Sequence, residues 1–392
     1  MTKPLPQTLW IITAVAGITL IAGSLLGAVL IFILPRSPEN ALAVILMSLT
    51  LISFALGVGL LWAGWSGWQR QPSPKVYTRW GWAVCLFWIV VLVAIAVLTP
   101  DALHQRAIFA PLHLGLAAFP AGLLLSLVIL TAGRHRALTL RELVATTSGG
   151  AASVMIALPV EMIGLVISVI LVVVIALLWP GGAAEIARMG ALVEQWTLTP
   201  PTQLEQLLEV IASPVVLVIV FLMFVVIAPV VEELGKTLVM GLIGLWRRPG
   251  LTQAFVWGAA CGLGFAIVES VSNGASGLGE TWSWLGGMGA RSFATAMHML
   301  TSGLVGLGWG FFWRKRRWVL PLAYIVATLF HGLWNLNAVM SIGGAAIGAV
   351  TSPLGYLIAA IGMGLMFILA LFSPLALIGI PVLLRAYESR TG

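Results

Sequence analysis

Ten stretches of the chain are long apolar runs with very little charge: roughly 9–34, 41–66, 80–99, 112–132, 150–179, 213–246, 252–275, 286–313, 318–340 and 354–383. A helix needs about 20 apolar residues to cross the hydrocarbon core of a bilayer. Inside lipid only helices and closed barrels satisfy their own backbone hydrogen bonds. Runs this long read as helices, so the predicted fold is an all-α, polytopic transmembrane helix bundle of about ten spans. Composition agrees, with 60% hydrophobic and 8% charged residues. That charge is about a third of what soluble domains carry, and a water-soluble core cannot enclose so much apolar surface. The first run is too long for the core of a signal peptide and lacks a small-residue cleavage site, so it reads as the first anchor.

The two cysteines, Cys85 and Cys261, both lie inside apolar runs, which excludes a disulfide framework and a CxxC metal knuckle. A net charge of +7 invites a nucleic-acid reading. The basic residues, however, form short clusters between apolar runs, as topology signals do, and no nucleic-acid partner is expected. With the N-terminus inside and ten crossings, fifteen of the 20 basic residues fall on the cytoplasmic side. Arg36, Arg106, Arg188 and Arg291 fall outside, and Lys236 lies within a span. Both termini are therefore expected in the cytoplasm. Trp65, Trp68, Trp80 and Trp82 flank a cytoplasmic loop as interfacial anchors do.

The run 213–246 is long for one span and contains Pro229. A proline there cannot bond the carbonyl of Val225, so one long helix kinked at Pro229 is expected. In the external segment 180–212, Thr202 and Glu205 have capping-box spacing, which predicts a short amphipathic helix over 203–212 along the outer surface. The organisation expected is four N-terminal spans (1–148), a fifth span with the external loop (149–212), motif-bearing helices (213–340), and a last span with a cytoplasmic tail (341–392).

Ionisable residues inside spans are costly and mark a functional path or a paired structural site. Here they are Glu161, Glu232, Glu233, Lys236 and Glu269, with His298 and His331. At 1.5 Å per residue, Glu233 lies about 21 Å above Arg247, His298 about 24 Å above Arg314, His331 about 21 Å above Arg317 and Glu269 about 27 Å above Leu251. Helices running in alternating directions thus carry polar groups to similar depth. Glu232 and Lys236 are i,i+4 and Glu233 and Lys236 are i,i+3, so the lysine can reach back to either carboxylate. Phe265 and Glu269 share a helix face, as do His331 and Asn335. Glycines at 258, 262, 264, 303, 306, 308 and 310 permit close helix approach around them. Glu161 follows Pro159 and reads as half of a structural ion pair; His104, His113 and His135, at or near span ends, need no function.

The runs Glu232-Glu233-Leu234-Gly235-Lys236, Gly262 to Glu269 (GxxFAxxE), His298 followed by Gly303 and Gly306, and His331-Gly332-Leu333-Trp334-Asn335 together resemble the PrsW-type intramembrane proteases. They are similar, more distantly, to the CAAX-prenyl endoprotease and bacteriocin-processing superfamily. The resemblance covers about residues 225–340, and four motifs in the family's order on four successive spans form a specific signal. One departure is Ser270, where such proteins have asparagine; Asn273, one turn on, is the candidate substitute.

The resemblance implies an endopeptidase that cuts a membrane-anchored protein, an anti-sigma-like regulator being one substrate class, in a bacterial cytoplasmic membrane. It implies that Glu232 and Glu233 supply the base, with Glu269, His298, His331 and Asn335 completing the catalytic set and Lys236, Phe265 and Asn273 supporting it. Two adjacent carboxylates in low dielectric repel, so one is expected to hold a proton while Lys236 keeps the other ionised; which of the two is the base stays open. Zinc is the candidate cofactor, with Glu233, Glu269, His298 and His331 as its ligands if one is bound. There is no HExxH, and the reading leans to a glutamate-activated water without an obligatory metal. The alternative is an ion- or proton-coupled transporter using the same carboxylates; it calls for inverted repeats, which the sequence lacks. A silent scaffold would have lost a motif residue, and none is missing.

Overall fold

The computed structural model describes residues 6–33, 41–77, 79–134, 138–198, 204–244 and 247–391, and among them the regular structure is helical. Nine of these helices are long and apolar enough to cross a membrane. The tenth expected span, 286–313, lies in the 33-residue helix Thr281–Trp313. It falls short of the nine in apolarity because Gly, Ser and Thr, with Arg291 and His298, replace aliphatic side chains along it. The chain is an all-α polytopic bundle, as its sequence predicts.

Two compact units emerge from the internal contacts. The first comprises Met1–Val154, Leu234–Ala327 and Phe372–Gly392; the second comprises Met155–Glu233 and Thr328–Leu371.

Within the first unit, helix Leu251–Asn273 is buried along most of its length and pairs with Thr281–Trp313. In lipid such pairing rests on van der Waals contact, which small residues allow by letting backbones approach. A Cβ at Gly262 would collide with the carbonyl of His298, and one at Gly258 with that of Ser302. On the opposite face, a Cβ at Gly264 would meet the carbonyl of Thr147 on helix Leu140–Leu177.

Polar side chains close the ends of this arrangement. Gly250 precedes Leu251–Asn273 and has no side chain to cap it; Glu388 does so instead, accepting from Leu251 N at 2.6 Å and Thr252 Oγ1 at 2.8 Å. Thr139 and Glu142 form a reciprocal capping box, with Thr139 N donating to Glu142 Oε2 at 2.7 Å and Glu142 N to Thr139 Oγ1 at 3.3 Å. Trp284 Nε1 donates to His113 Nδ1 at 3.0 Å, which leaves Nε2 of the neutral ring to donate to the Val271 carbonyl at 2.9 Å. His113 thus ties three helices together.

The second unit contains the span Pro214–Gly244 as far as Glu233. The kink expected at Pro229 takes the form of a π-helical stretch, Phe221–Ile227, followed by the α-helix Ala228–Lys236. Ala228 N bonds the carbonyl of Met223, five residues back. In that register the carbonyl awaiting the N–H of residue 229 is that of Phe224, and proline has none to give. A second helix, Gly182–Leu198, occupies part of the segment 180–212 that reads as loop in the sequence, and the short helix expected over 203–212 runs from Leu204 to Ile211. Thr202 lies outside the described residues, as does His135.

Candidate active site

The helix Ala228–Lys236 carries the first motif and ends in Lys236. Glu232 and Glu233, both buried, belong to the second unit with His331 and Asn335 of helix Val319–Val350. His331 Nδ1 lies 3.0 Å from Glu233 Oε1 and donates to it. The other ring nitrogen, Nε2, is 3.9 Å from Glu232 Oε2, too far for a direct hydrogen bond. One imidazole therefore addresses both carboxylates, the near one fixing its orientation and the other standing at its opposite nitrogen.

Asn335, one turn along, donates from Nδ2 to the Phe224 carbonyl at 2.7 Å. This is the acceptor that Pro229 leaves without a backbone donor, so the asparagine of the HxxWN run completes the π turn beneath the glutamates. A Cβ at Gly332 would come 2.7 Å from the Val225 carbonyl, which explains a glycine next to His331. The sequence offers no sign of this use of Asn335, because π winding has no residue signature of its own.

The first unit gathers the remaining motif residues. Lys236 Nζ donates to His298 Nδ1 at 2.8 Å and sits 4.1 Å above the centre of the Phe265 ring. An ammonium only donates, so Nδ1 holds a lone pair and the hydrogen of a neutral ring lies on Nε2. That nitrogen is 2.6 Å from Glu269 Oε2. Arg291 NH2 reaches the same oxygen at 2.8 Å, and Asn273 Nδ2 donates to Oε1 at 3.1 Å. Asn273, the candidate substitute for the asparagine that Ser270 replaces, lies one turn from Glu269, and Ser270 is buried. Phe265 also packs against His298, with ring centres 5.4 Å apart.

Arg291 was missed as a site residue because counting loop charges places it outside the membrane. Its signal was available: it is the one charged residue between Thr281 and Trp313 and lies seven residues, two turns, before His298. Glu161, half-buried in helix Leu140–Leu177, is not among the residues gathered here.

Outside the spans, Glu185 on helix Gly182–Leu198 accepts from Arg188 at 2.8 Å and 2.9 Å and from Ser213 Oγ at 2.7 Å. These bonds hold its carboxyl down at about 2, below the usual carboxylate range.

These arrangements leave acid–base groups, fixed cations and a carboxylate–histidine pair inside apolar helices, which is what hydrolysis in a membrane requires. No curated protein and no solved structure matches the chain. The family described as PrsW family intramembrane metalloprotease matches residues 162–372. That match spans all four motifs and more than half of the chain, so this integral membrane peptidase belongs to the PrsW family of intramembrane metalloproteases.

Proposed function

We propose that the protein cleaves a peptide bond of a membrane-anchored protein, with Glu232, Glu233 and His331 at the reacting water. The observation that carries this reading is the double engagement of His331, at 3.0 Å from Glu233 and 3.9 Å from Glu232. Glu233 is fully buried and holds the imidazole by Nδ1, as the carboxylate of a hydrolytic triad holds its histidine. Glu232, less deeply buried than Glu233 and not bonded to the imidazole, takes the proton of the attacking water. Glu232 then returns that proton to the leaving amine, while His331, held by Glu233, keeps its orientation. The second N–H of Asn335 Nδ2, beyond the one given to Phe224, is the donor assigned to the developing oxyanion. Glu269 and His298 are assigned to the same catalytic set by their place in the motifs, with His298 held between Lys236 and Glu269. Lys236, Phe265 and Asn273 support it.

The family's description as metalloproteases favours zinc over the metal-free reading of the sequence. The donor set fits: a histidine whose Nδ1 is held by a carboxylate presents Nε2 as a metal ligand, and Glu232 stands on that side. Glu232 and His331 would hold the ion, with Glu233 behind His331 rather than as a ligand itself. When bound, zinc makes its water ionise near neutral pH.

The substrate class proposed is a single-span regulatory protein of the anti-sigma kind in a bacterial cytoplasmic membrane. The test compares new protein N-termini in membranes of cells expressing the wild type or Glu232→Gln at matched abundance. Fragments cut near a transmembrane segment and present only with the wild type support the reading. The same fragments in both overturn it.

A further inference from the structure

Arg291 is a full charge on a helix that otherwise carries none between Thr281 and Trp313, and its side chain is only 19% exposed. A charge at such a place is retained for a task or for a partner. Its NH2 lies 2.8 Å from Glu269 Oε2, the same oxygen that His298 Nε2 approaches at 2.6 Å. We propose that Arg291 is a positioning residue of the peptidase: it holds the Glu269 carboxylate so that Glu269 fixes the tautomer and ring orientation of His298.

The hydrogens follow one pattern along this chain of contacts. Lys236 donates to Nδ1, Nε2 faces Glu269 Oε2 at 2.6 Å, Arg291 NH2 stands against the same oxygen at 2.8 Å as an ion pair, and Asn273 donates to Oε1. The carboxylate is thus bonded at Oε1 by an amide and flanked at Oε2 by a guanidinium and an imidazole. Held at both oxygens it cannot rotate, and His298 keeps its hydrogen on Nε2 and its lone pair towards Lys236. With Arg291 removed, Oε2 is shared with His298 alone. The carboxylate can then turn about its last bond, and the ring and the ammonium beyond it lose their fixed direction. Partners that orient a catalytic or ligating histidine are worth about 10- to 100-fold in activity.

This inference rests on the reading that His298 and Glu269 belong to the catalytic set. The test uses the full-length protein in membranes and reads the yield of wild-type-specific new N-termini at matched abundance. Its variants are Arg291→Gln, Arg291→Lys, Glu269→Gln, the double variant Glu269→Gln/Arg291→Gln, and Glu232→Gln. Arg291→Gln is expected to lose about 10- to 100-fold and Arg291→Lys to recover part of that loss. The double variant is expected to match Glu269→Gln alone, because Arg291 acts through Glu269. A purely structural arginine predicts losses that multiply in the double variant and yields that follow protein abundance. Wild-type yield from Arg291→Gln, or multiplied losses, overturns the proposal. Should Arg291→Gln fail to accumulate, Arg291→Lys decides, and wild-type yield from it is again the contrary result. Cleavage that persists in Glu232→Gln removes the catalytic reading instead, so the two failures are told apart.

Discussion

The two units treat their polar groups in opposite ways. In the first, Glu269 has an arginine and a histidine against one oxygen and an asparagine bonded to the other, and both ring nitrogens of His298 face a charged group. In the second, two neighbouring carboxylates stand at opposite nitrogens of one histidine, at 3.0 Å and 3.9 Å. A carboxylate flanked by a fixed guanidinium stays ionised and in place, whereas two adjacent carboxylates in low dielectric repel, so that one of them holds a proton it can trade. On the proposed mechanism, the first unit holds its groups and the second moves protons.

The largest expected effects lie in the second unit. Glu232→Gln and His331→Ala should each lower cleavage by about 10²- to 10⁴-fold, the range for loss of a general acid–base group, at unchanged abundance. Equal losses from Asn273→Leu would erase the contrast between the units. Removal of bound metal by a chelator should abolish cleavage, and readded zinc should restore it. Elemental analysis should show less zinc in Glu232→Gln than in the wild type, whereas metal-free protein that still cleaves would return the mechanism to a glutamate acting alone.

Effects in the first unit should appear first in stability. Gly262→Val sets side-chain atoms against the His298 carbonyl and should cost about 1–3 kcal/mol, read as a lower unfolding midpoint in detergent. Asn273→Leu removes one of three donors to Glu269 and should lower cleavage by about 10-fold or less. The smallest effect concerns helix Gly182–Leu198. Glu185 is held at about 2 in the folded chain, so its contribution is present above the ordinary carboxylate range and is lost as pH falls towards that value. Partly exposed, the contact is worth little. Wild type should unfold slightly higher than Glu185→Gln at pH 7, and the difference should vanish by about pH 2.

Much of this molecule was legible in its sequence, for physical reasons. Apolar runs of spanning length leave helices as the main outcome, and the four motifs fall on helices because their polar residues repeat at three or four positions. The contact between Asn273 and Glu269 follows from the same spacing. What escaped reading depends on contacts distant in sequence or on backbone winding without a residue code. Arg291 was counted as a loop charge although helix Thr281–Trp313 begins ten residues before it. The π turn at Phe221–Ile227 could not be told from a proline kink, and only the Asn335 bond to Phe224 shows what the proline leaves behind. The helix Gly182–Leu198 was read as loop because its polar face hides the apolar run on which span counting relies.

The central claim is that Glu232 activates the water that cuts the substrate. Its most direct test is the rate at which a purified wild-type protein and Glu232→Gln, each reconstituted in lipid, release the new N-terminus from a substrate found in the membrane comparison. The account expects release by the wild type and none above background by Glu232→Gln, with both proteins folded to the same unfolding midpoint. Release by Glu232→Gln at the wild-type rate would contradict it.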